Sequence, residues 1–194
     1  MRNKPYLKGT VFVLSLLAVP AVQAHSLAHE GATLLAGFSH PLFGWDHLLA
    51  MLAVGLWAAQ QNGRTLWRLP LVFVALMTGG AIVAGAGLVL PASESGIATS
   101  LLVLGLLLAF AVRPPAVFSM AMVGLFALFH GFAHGAEMPQ AVSALTFALG
   151  FILATTLLHF LGVQLGRLCR GELSARLLRV GGGGIAATSI LTWV

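Results

Sequence analysis

Charge is what this 194-residue chain has least of: Lys and Arg number 10, Asp and Glu 5, together 8% of the residues, against 59% hydrophobic. A soluble domain carries about 25% charged residues, so the deficit excludes a water-soluble globular fold and marks an integral membrane protein. The mean hydropathy of +0.98 agrees. The few basic residues are scattered between apolar runs and form no phosphate-binding patch, which excludes nucleic acid as a partner. A single cysteine, Cys169, leaves no intrachain disulfide and no thiolate cluster for a soft metal. No Walker A motif is present, and the loops are too short for a nucleotide-hydrolysing domain. The chain by itself is not an ATP-driven pump.

What is present begins with Arg2, Lys4 and Lys8, an apolar core from Val11 to Val19, and small residues at Val22 and Ala24. This is the pattern of a secretory signal, residues 1–24, cleaved after Ala24. The apolar core is short for a span. Removing the three basic residues leaves seven basic and five acidic ones, a net charge of +2. The alternative is an uncleaved first helix.

Six apolar runs follow, at about 39–60, 68–90, 96–113, 115–135, 140–167 and 177–194. Each is long enough to cross a bilayer as a helix. The expected fold is therefore an all-α bundle of six transmembrane helices in one domain, residues 25–194. With His25 outside, the inner loops are 61–68, 113–115 and 167–179, and they hold Arg64, Arg68, Arg113, Arg167, Arg170, Arg176 and Arg179. Those are all seven remaining basic residues, as the positive-inside rule requires. An uncleaved signal gives the same orientation, so this distribution does not decide cleavage. The expected location is a bacterial inner membrane, with the N-terminus periplasmic after cleavage. Gly162 and Gly166, and Gly79, Gly80, Gly85 and Gly87, suit close helix packing. The run Gly181 to Gly184 opens the sixth helix, where it would either pack or act as a hinge.

Within this apolar chain one stretch stands out: His40-Pro41-Leu42-Phe43-Gly44-Trp45-Asp46-His47. Ionisable groups at a membrane are costly unless they are paired or bound, which makes them functional candidates. Ser39 and Pro41 suit a helix start, and two turns of helix then bring His40, Gly44 and His47 to one face. Asp46 is placed either to ligate an ion or to orient His47. A second stretch runs Phe129-His130-Gly131-Phe132-Ala133-His134-Gly135-Ala136-Glu137. His130 and His134 share a helix face at i and i+4, and Glu137 continues the stripe. In the six-helix topology both stretches lie near the outer ends of their helices, so the first and fourth helices are expected to pack side by side there. Four histidines and a carboxylate suit a borderline divalent ion such as Ni²⁺, Co²⁺ or Zn²⁺. Imidazole must be neutral to ligate, so capture weakens as pH falls toward ~6.5.

His159 stands apart, expected in the inner half of the membrane. It is either a hydrogen-bonded structural histidine or a second station on an inward path. His25 and His29, with Glu30, form either a solvated tail or an extra chelate.

These motifs resemble the HupE/UreJ family of nickel/cobalt permeases, and the resemblance covers essentially the whole chain. The spacing HxxxxxDH, the continuation to Val54-Gly55 and the stretch FHGFAHGAE carry it. The resemblance implies that His40, Asp46, His47, His130, His134 and Glu137 handle the metal. It implies no prosthetic group and no enzymatic activity, with Ni²⁺ or Co²⁺ as cargo. Hydrogenase or urease maturation proteins are the implied partners.

Two other classes compete with a permease. An intramembrane metal-dependent hydrolase would need a general base, and the histidine pair lacks the glutamate that HExxH places beside its first histidine, which leaves Glu137 to serve instead. A haem-binding electron carrier could use paired histidines but fits Asp46 and Glu137 poorly. Met51 and Met138 raise copper, yet methionine in an apolar helix is ordinarily packing.

Overall fold

The computed structural model of the chain describes residues 34–61, 63–137, 144–169 and 171–191. The signal segment 1–24, His25, His29, Glu30, Met138 and Arg170 lie outside the described residues. So does the side chain of Glu137. Every element among the described residues is helical: α1 (Leu34–Phe43), α2 (Trp45–Gln60), α3 (Thr65–Gly85), α4 (Ser93–Ala109), α5 (Ala116–Glu137), α6 (Ala144–Leu168) and α7 (Glu172–Leu191).

This is an all-α membrane protein. α3, α5 and α6 are each long and apolar enough to cross a bilayer by themselves. The α1–α2 pair adds a fourth span if its two halves are taken together. α4 is apolar but has only 17 residues, which is about 26 Å of helix against a hydrocarbon core of about 30 Å.

The first apolar run differs from the single straight helix expected. It breaks at Gly44, where the backbone is extended (φ −80°, ψ 104°), and the axes of α1 and α2 diverge by 84°. Ser39 is no N-cap. Its hydroxyl donates to the Ala36 carbonyl inside α1, which starts five residues earlier at Leu34. Pro41 lies within α1 rather than at a helix start. α7 also departs from expectation, since it begins at Glu172 and continues unbroken through the four glycines.

Three tight seams organise the bundle, each made where glycine lets backbones approach. Gly55 of α2 abuts the backbone of α6 at His159, Gly162 and Val163, and Gly162 abuts Leu52 in return. Gly80 of α3 meets Leu128 and Gly131 of α5, while Gly131 and Gly135 meet Met77 and Ala81 of α3. Gly105 of α4 meets Gly182 and Ala186 of α7. The matched positions make α2 parallel to α6 and α3 parallel to α5. Buried apolar side chains such as Met51, Trp57, Phe73, Leu101 and Phe126 fill the interior, while Leu71, Ile82, Phe118, Leu145 and Phe160 stay exposed on the outside.

Side chains tie the α2, α4 and α7 ends together at one end of the bundle. Trp57 Nε1 donates to the Val112 carbonyl at 2.9 Å, and Arg179 Nε donates to the Ala109 carbonyl at 2.7 Å. Arg64, Arg68, Arg113, Arg167 and Arg176 belong to the turns and helix termini at this same end. The histidine-bearing segments occupy the opposite end.

Candidate metal-binding site

The break at Gly44 shapes the site. Because the chain turns there, His40 ends one helix and His47 begins the next, and their rings face each other with centroids 6.3 Å apart. A Cβ on Gly44 would crowd His47 Nδ1 and Asp46 Oδ1. Asp46 sits in the first turn of α2, where its negative charge is favoured by the helix dipole. Its Oδ1 accepts from the His47 ring Nδ1–H at 2.7 Å and from the His47 backbone N–H at 2.9 Å.

α5 supplies the other two imidazoles. His134 lies between the first two, with ring centroids 4.9 Å from His40 and 4.3 Å from His47. His40 Nε2 and His134 Nδ1 are hydrogen-bonded at 3.1 Å. His130, one turn deeper along α5, has its ring 5.6 Å from His47. The aromatic walls come from α6, where Phe151 lies 4.5 Å from the His134 ring and 5.9 Å from the His40 ring. A cavity of about 290 Å³ opens beside His134 between α3, α5 and α6, with an otherwise almost wholly apolar lining.

His40, Asp46, His47, His130 and His134 thus form one cluster. The rings make this contact without the backbones packing alongside each other: α5 lies against α3, and α1 and α2 lie against α6. The expected side-by-side packing of the first and fourth spans is therefore replaced by side chains reaching across. Gly131 and Gly135 serve the seam with α3 and do not make room for the histidines. As the side chains stand, no three His, Cys, Asp or Glu among the described residues already form a metal-ligand set. Two of the imidazoles are instead bonded to each other.

The tautomers follow from the partners. A carboxylate or carbonyl oxygen only accepts, so Nδ1 carries the proton in three histidines. These are His47 (to Asp46), His130 (to the Phe126 carbonyl, 2.9 Å) and His159 (to the Thr155 carbonyl, 2.7 Å). Each then presents an Nε2 lone pair, and these three Nε2 atoms are buried with no hydrogen-bond partner among the described residues. Metal-ligating histidines are oriented in this way by an oxygen on the far nitrogen.

His159 is not in the cluster. It lies deeper on α6, 1% exposed, with the Phe73 ring of α3 against it at 5.0 Å. The same ring touches His130 at 5.4 Å. Phe73 and Thr155 were not singled out from the sequence. Thr155 carried a signal, standing one turn before His159 on the same helix face. Phe73, one apolar residue among many, carried none.

Residues 12–192 match the family model described as HupE / UreJ protein. The chain belongs to the HupE/UreJ family. It is 42% identical over 174 residues to Protein HupE of Rhizobium leguminosarum bv. viciae, a match covering 89% of this chain and 91% of that one. No solved structure matches the chain. The HupE/UreJ match takes in both histidine stretches and all seven helices, so the cluster is part of the region shared with the family rather than an appendage to it.

Proposed function

We propose that this HupE/UreJ protein is a secondary permease that carries Ni²⁺ or Co²⁺ inward across the inner membrane for metalloenzyme maturation. The observation that carries the reading is the convergence of four imidazoles from α1, α2 and α5, with Asp46 holding one of them. Imidazole nitrogens suit borderline divalent ions of this kind. The ion displaces the His40–His134 hydrogen bond and draws on the Nε2 lone pairs of His47 and His130. Asp46 offsets charge and fixes the His47 ring. Glu137, at the end of α5, is assigned to the same capture site by its place in the motif, and His25 and His29 to an outer approach.

In this reading the α1–α2 pair and α3 to α7 make six spans after removal of residues 1–24, with the histidine end periplasmic. The arginines at the opposite end support that orientation through the positive-inside rule. Energetics suffice without ATP. Two positive charges moving through ~100 mV gain about 4.6 kcal/mol, roughly a 2,000-fold accumulation. A hydrolase reading is disfavoured because HGFAH lacks the glutamate that HExxH places beside its first histidine as general base.

The test is uptake of radiolabelled Ni²⁺, Co²⁺ and Zn²⁺ by cells that lack other importers, with and without this chain. Accumulation of Ni²⁺ or Co²⁺ that depends on the chain and on membrane potential is the expected result. No accumulation of any of the three would sink the permease reading.

A further inference from the structure

We propose that His159 Nε2 forms an inner cation station on α6, deeper than the histidine cluster, with Thr155 Oγ1 holding one of the ion's waters. The inference rests on the permease reading and adds to it a second resting place for the ion.

The first observation is an unmet hydrogen-bonding need. A structural histidine within a bundle satisfies both ring nitrogens, because a buried polar atom without a partner is costly. His159 uses Nδ1–H on the Thr155 carbonyl and leaves Nε2 buried and without a partner among the described residues. Its lone pair is the form that ligates a metal. The second observation is the threonine. Thr78, Thr99 and Thr156 each donate their hydroxyl to the carbonyl four residues back, the ordinary habit of threonine in a helix. Thr155 does not: it is fully buried, and its Oγ1 has no partner among the described residues. Because Nδ1 of His159 faces the Thr155 carbonyl, Nε2 points away from it, so the Thr155 hydroxyl can reach an ion on Nε2 only through one of the ion's waters.

Depth separates this pair from the cluster. On α6, His159 lies eight residues beyond Phe151, which touches His40 and His134. On α2, Gly55 abuts the His159 backbone and lies eight residues beyond His47. Eight residues of helix rise about 12 Å, so two helices give the same descent independently. That puts His159 too far from His40, His47 and His134 for one ion to bind them together at ligand distances of about 2 Å. His130 is nearer, and its ring and that of His159 each touch Phe73 rather than each other. Phe73 links the two levels, its ring touching both His130 and His159. A benzene ring offers no lone pair to a dipositive ion, so the ion cannot rest there. With one neutral protein ligand the ion keeps most of its waters at His159, and the station holds it more weakly than the cluster. Conduction requires a site weak enough to release what it takes up.

The test uses the purified full-length protein in detergent, titrated with Co²⁺ and followed by visible absorption and equilibrium dialysis. His159→Leu and Thr155→Val are close in size and leave no orphaned polar atom, so both are expected to keep the wild-type thermal midpoint or raise it. The wild type is expected to bind two Co²⁺ per chain and His159→Leu one. Thr155→Val is expected to weaken the second event about tenfold. In cells, His159→Leu is expected to lower the maximal uptake rate severalfold while leaving the half-saturating Co²⁺ concentration near wild type, because capture occurs at the cluster. Unchanged stoichiometry and unchanged uptake in His159→Leu would overturn the inner station. A His47→Ala variant that still binds both ions would instead overturn the cluster, so the two failures are distinguishable. Should His159→Leu not fold, Thr155→Val alone decides, and wild-type affinity for the second ion overturns the proposal.

Discussion

Asp46 Oδ1 accepts two hydrogen bonds from His47, one from the ring at 2.7 Å and one from the backbone at 2.9 Å. One oxygen therefore holds both the base and the tip of the same residue, which fixes the ring plane and places the lone pair on Nε2. That makes Asp46 a positioning residue for His47. Asparagine can accept both bonds through its carbonyl oxygen, whereas alanine can accept neither. Asp46→Ala is expected to weaken metal affinity about 10–100-fold, as loss of an orienting partner typically does. Asp46→Asn is expected to lose less than Asp46→Ala. Concentration-dependent uptake measures both, and equal loss in the two variants would make the negative charge, not the orientation, the quantity that matters.

His47 touches both His130 and His134 and is the member of the cluster most central to it. His47→Ala is expected to abolish uptake while leaving the amount of protein in the membrane near normal, because the imidazole packs against the other histidines and not in the glycine seams that join the helices. Immunoblotting of membranes beside the uptake assay separates the two effects. Loss of the protein itself would make His47 structural.

His40 and His134 share a hydrogen bond at 3.1 Å, so their effects are not independent. Each single alanine substitution is expected to reduce uptake strongly, and the double variant to lose little more than the worse single one. Contacting residues show this kind of non-additivity. Fully additive losses in transport free energy would mean that the two rings act at separate points.

The sequence made the outline of the site legible for a physical reason. Ionisable residues are so rare in this chain that two histidine stretches could only be deliberate features, and helix periodicity paired His130 with His134. The same periodicity misled at His40 and His47. It assumed one straight helix, while Gly44, with little helical preference, let the chain turn by 84°. The two rings meet all the same, across a bend instead of along a face. The close-packing reading holds at Gly80, Gly162 and Gly166 but not at Gly79, Gly85 and Gly87, which face open space, because which way each glycine faces depends on tertiary arrangement. Gly131 and Gly135, next to the histidines in sequence, are contacts with α3. Phe73 was invisible because nothing in a uniformly apolar run distinguishes a ring touching two histidines from a ring facing lipid.

Gly55 and Gly79 offer a controlled pair. A methyl group at Gly55 would run into the carbonyl of His159 and the backbone at Gly162, whereas one at Gly79 meets nothing within 4 Å. Overpacking of this kind costs about 1–3 kcal/mol. Gly55→Ala is therefore expected to lower the thermal midpoint in detergent and reduce uptake by shifting α6. Gly79→Ala is expected to leave both near wild type, since alanine is the better helix former. Equal behaviour of the two variants would contradict the α2–α6 seam.

Cys169 tests the orientation of the whole bundle. It follows the last residue of α6, at the end that also carries the arginines, and it is the single cysteine of the chain. Burial pushes its thiol above the ordinary value, so at neutral pH less of it is the reactive thiolate than in a free cysteine. Labelling by a membrane-impermeant maleimide is therefore expected to be slower than for free cysteine at pH 7 and to accelerate as pH rises. If the positive-inside reading holds, inverted membrane vesicles label and intact spheroplasts do not. The comparison needs no substitution and leaves the histidine cluster untouched. Labelling in intact spheroplasts would reverse the orientation, place the four histidines on the cytoplasmic side, and turn the proposed importer into a protein that captures its ion from within the cell.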